Sequence, residues 1–377
     1  MAQSFRSWEE RALSEPGELA ERELLLRSRG LSVPGGESLV LGFYDQGRLA
    51  ATGALVGKVL EGIAVAREAE GEGGAAEVVT ALIKAALGRG IGHLFLFSKP
   101  EEGRRFAELG FAPLASAVLG PGPGTGGALG AAVSRGRGVA LLEWGSPGIE
   151  DWKASLARAA EGKPRGAGVV VVNCNPFTLG HRKLLEFAAS SVPWLYVLVV
   201  EEDRSLFPFA ARIELVRRGS RDIPNLTVLP GGPYVISSAT FPTYFTRPEP
   251  GQEEGRIAEL HAALDLELFR RHAAPALGAA ARFVGTEPYC PTTSVYNRLM
   301  KEILPDPGRE GPALRVVEMP RFERGGEAVS ASRVRRLIRE GELAAVRPLV
   351  PPSTWEWLTS PEAGPVIERI KASDSRH

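Results

Sequence analysis

The sequence predicts a mixed α/β chain of two units, an α+β unit over residues 1–145 and an α/β unit with a buried parallel sheet over 146–377. Within the second, 165–340 reads as the core and 341–377 as a helical cap. A length of 377 residues exceeds what one hydrophobic core usually serves, so two or three domains are expected. The Gly/Pro-rich run Gly120 to Gly130, GPGPGTGGALG, suits a loop or linker and marks the break. Further on, Val169 to Val172 are four consecutive β-branched residues, the composition of a strand covered on both faces. Asn173, Asn175 and Pro176 supply the turn chemistry that stops it.

Composition narrows the function classes. Acidic and basic side chains balance at 45 each, which argues against general affinity for nucleic acid or anionic membrane. No run of about eighteen apolar residues occurs, and the opening MAQSFRSWEERALSEPGE lacks the apolar region of a signal peptide, so a cytoplasmic protein is expected. Cys174 and Cys290 show no pattern of paired spacings and read as reduced thiols, with Cys174 packed behind the turn. His93, His261, His272 and His377 show no metal-ligand spacing, so surface or packing roles are expected.

In the first unit, ESLVLGFYDQGRLAATGALVGKVLEGIAVA reads as strands turning at Asp45-Gln46-Gly47, and Ala75 to Leu87 as an amphipathic helix. His93 to Phe97 reads as a strand, RRFAELGFAPL as a helix and turn, and Gly138 to Trp144 as the closing strand. This order, with the segment EGEGGAAEVVTALIKAALGRG ahead of F-x-x-x-G-F, resembles the GNAT acetyltransferase fold. In that fold a glycine-rich loop presents backbone N–H groups to the coenzyme A pyrophosphate. Here Glu68 stands where the pattern [QR]-x-x-G-x-[GA] has Gln or Arg, and Glu70 and Glu72 lie beside it. Each carboxylate disfavours a pyrophosphate by about 1 kcal/mol when solvated, so docking or arm handling is expected here rather than independent acetyl transfer.

Ile149 to Ala160 reads as an amphipathic connecting helix. After the valine strand, Thr178 can cap a helix that Leu184, Leu185 and Ala188 continue, and Gly180 leaves room for a ligand to approach the backbone. His181 projects from the first turn, where free N–H groups and the helix dipole favour an anion. A strand-turn-helix with Thr178 as a plain cap and His181 as a satisfied surface imidazole is the alternative. A triphosphate carries more charge than one helix end can neutralise, so a second phosphate element is expected. Val329 to Arg335, VSASRVR, supplies two hydroxyls, Ser330 and Ser332, at a helix start and Arg335 about one turn in. Taken alone, Ser330 would be a cap and Arg333, Arg335 and Arg336 a solvated face. The string N-x-N-P-F-T-L-G-H and the later VSASRVR, in this order, resemble the signatures of the HIGH-type nucleotidyltransferase superfamily, which implies a Rossmann-like domain here.

The intervening stretch reads as a strand at Trp194 to Val200, a loop with Asp203, a helix carrying Arg212 and a strand at Leu226 to Leu229. It then gives the string YVISSATFPTYF, and FVGTEPYCPTTSVYNRLMKEILP adds a strand, the turn Gly285 to Pro288 and a helix after Thr292 and Thr293. With the phosphate strings, this resembles the [citrate lyase] ligase family, acetate:thiol ligases of the citrate lyase system. The resemblance implies that acetate attacks the α-phosphate of ATP to give acetyl adenylate and pyrophosphate. The thiol of a CoA-like prosthetic arm on the lyase's acyl-carrier (gamma) subunit then takes the acetyl group, releasing AMP. It also implies His181, Thr178 and Arg335 as catalytic residues and a magnesium ion held by the ATP phosphates, with no metal ligand from the protein. Asn173, Asn175, Pro176, Phe177, Gly180, Ser330, Ser332, Gly285 and Glu287 are then the ATP-binding set.

Arg212, Ser237, Ser238 and Thr240 are candidates for an acetate or thiol pocket; their ordinary readings are a helix-surface arginine and a hydroxyl-rich loop satisfying its own backbone. Gly285, Thr286 and Glu287 follow a strand, where open α/β sheets bind ligands, though a simple turn fits too. The competing functions are a ligase for another acyl-carrier enzyme of the malonate decarboxylase type, an adenylyltransferase acting on a pantetheine phosphate or mononucleotide, and a non-catalytic acyl-carrier or CoA-binding protein. The strings VISSATFPTYF and GTEPYCPTTSVYN argue against the adenylyltransferase, and intact Thr178, His181, Ser330 and Arg335 argue against the non-catalytic reading.

Overall fold

The computed structural model describes residues 8–31, 33, 35–71, 73–118, 138–242, 252–288 and 290–373. Glu72, the Gly120 to Gly130 run, Thr243 to Phe245 of the hydroxyl-rich string, Tyr289 and His377 lie outside them. The chain divides into two units, one up to Ser116 with Gly138–Gly148, the other containing Ile149 onward.

The first unit is a seven-stranded sheet in the order β1-β2-β3-β4-β5-β7-β6. Its strands are β1 (Glu9–Ala12), β2 (Leu39–Asp45), β3 (Arg48–Val56), β4 (Val59–Val65), β5 (His93–Ser98), β6 (Ala112–Val118) and β7 (Gly138–Gly145). Helices α1 (Pro16–Ser28), α2 (Gly74–Gly88) and α3 (Gly103–Ala107) complete it. The β2–β3 hairpin turns at Gln46 and Gly47, both left-handed, as Asp-Gln-Gly predicts. Helix α2 buries Val78, Val79, Leu82 and Ala86, one helical stripe, against the sheet. It comes so close to β3 that a Cβ at Gly53 would lie 2.5 Å from Val78 Cγ1.

β4 and β5 are parallel and pair only at Val59 with Phe95 and Leu60 with Leu96. Beside this short register lies a cavity of about 890 Å³ lined by both strands, with Glu61, Ile63, Gly73, Phe97, Phe106 and Leu109 in its wall. Its Glu61 carboxyl is held above its usual pKa by burial, then by Glu37. His93 is a packing residue, buried with its Nε2 2.8 Å from Glu143 Oε2.

The second unit begins with α4 (Ile149–Ala160) and is built on β8 (Ala167–Val172), β9 (Leu195–Val199), β10 (Leu226–Pro230), β11 (Ala279–Gly285) and β12 (Arg315–Met319). All five are parallel, in the order β10-β9-β8-β11-β12. From β8 the chain steps outward twice through α5 (Leu179–Ser190) and α6 (Phe209–Gly219), then returns through α7 (Gln252–Leu268) to the other side of β8. The order therefore reverses between β8 and β11, and at such a switch point the loops leaving the carboxyl ends part and leave a crevice.

Valines on β8 and β9 pack with Leu185 of α5 and Leu215 and Val216 of α6 in one continuous core. Helix α8 (Pro291–Ile303) follows β11. After β12 come a small hairpin, β13 (Glu323–Arg324) with β14 (Glu327–Ala328), and α9 (Ala331–Arg339). The C-terminal region forms α10 (Leu343–Val346), α11 (Pro352–Leu358) and α12 (Gly364–Ala372), with Val346, Leu358, Val366 and Ile370 joining the same core.

Candidate functional site

The turn that leaves β8 has an uncommon backbone. Cys174 is left-handed at φ 52°, and the Asn175–Pro176 bond is cis. The Cys174 thiol lies in the core at 1% exposure, and burial pushes its pKa up, with Arg212 partly opposing.

Arg212 is the clamp of this turn. Its guanidinium is fully buried, where neither a surface arginine nor a pocket residue would be. Nε donates to Phe207 O at 2.9 Å and Nη2 to Glu202 O at 2.8 Å. Nη1 donates to Val200 O (2.6 Å), Asn173 O (3.0 Å) and Asn173 Oδ1 (2.8 Å). The expected pocket role is thereby corrected: the strand-end carbonyls have no ladder partners and take the guanidinium's donors instead.

Asn173, expected at ATP, has its amide engaged by Ser205 and Arg212. Asn175 Oδ1 accepts Phe207 N–H at 3.0 Å, and Pro176 is buried beside it. Phe177 is also corrected. Its ring is fully buried, stacked on His181 with centroids 6.0 Å apart, and contributes packing rather than a nucleotide contact.

Thr178 caps α5 and forms a reciprocal pair with His181. The Thr178 N–H donates to His181 Nδ1 at 3.1 Å, the two side chains meet at 2.9 Å, and His181 N–H donates to Thr178 Oγ1 at 3.4 Å. Since Nδ1 accepts a backbone N–H, the proton of the neutral ring sits on Nε2. Burial first, then the charges of Arg321 and Arg335, hold the imidazole pKa down to about 4. The group at this helix start is therefore a neutral donor at physiological pH.

The second phosphate string folds onto the first. A Cβ on Gly180 would lie 2.3 Å from Val329 O, so the space expected for a ligand is filled by the backbone of this second string. Ser330 caps α9, accepting Arg333 N–H at 3.1 Å, and Ser332 is exposed on its first turn. Arg335 is 5% exposed and donates through Nη1 to Asn175 O at 2.5 Å. Burial, then Arg339, lowers its pKa to about 10. Thr178, Gly180, His181, Ser330 and Arg335 are thus brought to one place.

Gly285 ends β11 on the other side of the switch point, its carbonyl accepting Asn297 Nδ2 at 3.0 Å. Glu287 is engaged twice, accepting Cys290 N–H at 3.1 Å and pairing with Arg321. A carboxylate so held orients its cation. Arg321 went unread in the sequence; its local signal is a cation two residues after the strand, in RVVEMPR.

The hydroxyl string is tied into its own loop and to Asp265. Ser237 Oγ donates to Pro233 O at 2.6 Å, and Thr240 Oγ1 donates to Asp265 Oδ1 at 2.8 Å. Asp265 is fully buried and also accepts Ile236 N–H and Tyr296 OH, each at 2.7 Å, which secures the left-handed Ile236 at φ 47°. Ser237 and Thr240 therefore build the loop rather than line a pocket. Ser238 is half-buried, its N–H on Glu202 Oε2 at 2.5 Å, and stays a candidate.

A family model described as the citrate lyase ligase C-terminal domain matches residues 167–358. The [Citrate [pro-3S]-lyase] ligase of Klebsiella pneumoniae is 40% identical over 322 residues, 85% of this chain and 86% of that protein. The Escherichia coli K12 protein of the same name is 36% identical over 345 residues, 92% and 91% of the two chains. Among solved structures, a GCN5-related N-acetyltransferase from Rhodopseudomonas palustris overlaps 38% of this chain and 99% of its own, at 13% identity and TM-score 0.30.

Two outcomes are expected. Arg212→Met should destabilise the protein by more than about 3 kcal/mol in urea denaturation, since several buried carbonyls lose their donor at about 1–3 kcal/mol each. The His181 ring should titrate near pH 4 by NMR, against about 6.5 in the unfolded chain. The fold resists the proton that the unfolded chain accepts, so the stability held above about pH 6.5 is lost as pH falls from there towards 4. A midpoint near 6.5 in the folded protein would contradict the neutral donor.

Proposed function

The chain belongs to the citrate lyase ligase family, and we propose that it is an ATP-dependent acetate:thiol ligase acting on the acyl-carrier subunit of citrate lyase. The observation that carries the reading is the pairing of Thr178 with His181, which occupies Nδ1 and leaves a neutral Nε2–H donor at a helix start after β8. A neutral donor suits a reaction in which charge grows on phosphate oxygens and no protein nucleophile is needed.

In the first step an acetate oxygen attacks the α-phosphorus and the P–O bond to pyrophosphate breaks. His181 Nε2–H and the α5 N-terminus stabilise the phosphate oxygens as negative charge shifts to the leaving pyrophosphate. The hydroxyls of Ser330 and Ser332 and the α9 N-terminus hold the pyrophosphate end, with Arg335 fixing the Asn175 carbonyl beneath them. In the second step the thiolate of the CoA-like arm attacks the acetyl carbon and the C–O bond to AMP breaks. No cluster of three or more His, Cys, Asp or Glu suited to a metal exists among the described residues. Magnesium fits this reading as an ion carried on the triphosphate, offsetting its charge. No helix among the described residues is long and apolar enough to cross a membrane, and a cytoplasmic location goes with the reading.

For the first unit we propose docking or handling of the carrier arm. Glu68 and Glu70 are exposed ahead of α2, Glu70 pairing with Arg29, and Glu61 lies in the wall of the cavity. These carboxylates disfavour a free pyrophosphate.

With ATP and magnesium, the purified protein should exchange pyrophosphate into ATP only when acetate is present, with no carrier needed. Exchange that depends instead on a pantetheine phosphate or mononucleotide would favour an adenylyltransferase. His181→Ala should slow exchange about 100-fold or more with the fold intact, the usual cost of a lost transition-state donor; near wild-type turnover would make the histidine structural. Calorimetry of the full chain should detect no tight acetyl-CoA binding, and binding abolished by substitutions at Gly71 and Gly73 would overturn the docking role.

A further inference from the structure

Adenylate formation brings a polyphosphate and a carboxylate to one crevice, so the site needs positive charge, not hydrogen bonds alone. The groups placed there so far supply little of it. His181 is neutral, and Arg335 is 5% exposed with Nη1 on a main-chain carbonyl. Arg333 pairs with Glu327 at 2.9 Å, and Arg182 pairs with Asp222 at 2.6 Å and with Glu186 at 2.9 Å.

Arg321 is paired as well, with Glu287, but at the carboxyl end of the sheet beside the switch point. It lies two residues beyond β12, whose neighbour β11 borders the switch point, and its side chain is half-buried. Its own N–H donates to Thr286 Oγ1 at 3.2 Å and its Nε to Thr286 O at 2.9 Å. Nη2 pairs with Glu287, which is in turn fixed by Cys290 N–H at the start of α8. These contacts run along the Nε–Nη2 edge and set the plane of the fork, so little side-chain entropy remains to be lost when an oxyanion binds. Its charge, with that of Arg335, also favours the neutral His181 ring.

We infer that Arg321 is a further substrate-binding residue of the ligase reaction, the guanidinium that takes the phosphate oxygens of ATP beside His181, while Arg335 braces the β8 turn. The inference rests on the proposed reaction for its setting, but its core, nucleotide phosphate at Arg321, does not depend on which acid is activated. Glu287 and Thr286 are then positioning residues, the acidic one orienting the cation rather than meeting the nucleotide.

The test compares wild type, Arg321→Gln and Arg321→Lys by thermal unfolding, by calorimetry with Mg-ATP alone, and by acetate-dependent exchange. Arg321→Gln should keep a Tm near wild type and bind ATP about 10- to 100-fold more weakly, the range for a lost charged hydrogen bond. Its KM for acetate should be unchanged, and Arg321→Lys, which keeps the charge but not the fork, should fall between. Wild-type ATP affinity in both variants would overturn the inference, as would a lower Tm with no loss of affinity, the signature of a mere latch. An effect confined to the acetate KM would also overturn it by assigning the residue to the carboxylate. Because calorimetry uses ATP alone, wild-type exchange indifferent to acetate would defeat the proposed reaction and leave the Arg321 result readable.

Discussion

A guanidinium sealed from water, that of Arg212, holds the carboxyl end of the parallel sheet in shape. Where β8 and β9 end, their carbonyls lose ladder partners in a region too buried for solvent to replace them, and the main chain must find donors. Arg212 supplies these to Val200, Glu202, Phe207 and Asn173 together, so the loops after two strands are fixed by one side chain. Burying a cation is costly, and burial lowers its pKa, but a full set of acceptors offsets much of that cost. The turn carrying Asn175, Phe177 and Thr178 rests on this clamp, and with it the orientation of His181.

A second constraint joins the ends of the catalytic unit. Arg335 and Asn175 are 160 positions apart yet share a hydrogen bond, and Gly180 admits the Val329 carbonyl where any side chain would block it. Two helix starts, those of α5 and α9, are thereby set side by side. Each offers free N–H groups, which in the proposed function serve one extended anion site. The helices after α9 share the core of the sheet, so the second helix start is held by packing as well as by polar contacts.

What could be read from sequence follows the range of the forces involved. The Val169 to Val172 strand, the Thr178 cap and the Ser330 cap are set by neighbours a few residues away, and the sequence reading and the structure agree on them. Arg212 and Thr240 reach partners 10 to 39 positions away, such as Asn173 and Asp265, which local chemistry does not show, whereas Ser237 bonds within its own loop, the ordinary reading of a hydroxyl-rich string. Gly180 is instructive: its need for space is legible, but the occupant comes from the far end of the unit. Helix α7, which delivers Asp265 to the hydroxyl loop, went unread beside the more distinctive strings flanking it.

The left-handed turn at Cys174 has a chemical consequence. The acetyl adenylate of the proposed reaction is an indiscriminate acylating agent, and the residue in the middle of the β8 turn is a thiol. Turned into the core with its pKa raised, that sulfur is neither accessible nor ionised, and only a thiolate would compete for the acetyl group. On the proposed reaction, the fold thus keeps this one sulfur from competing with the arm's thiol for the acetyl group.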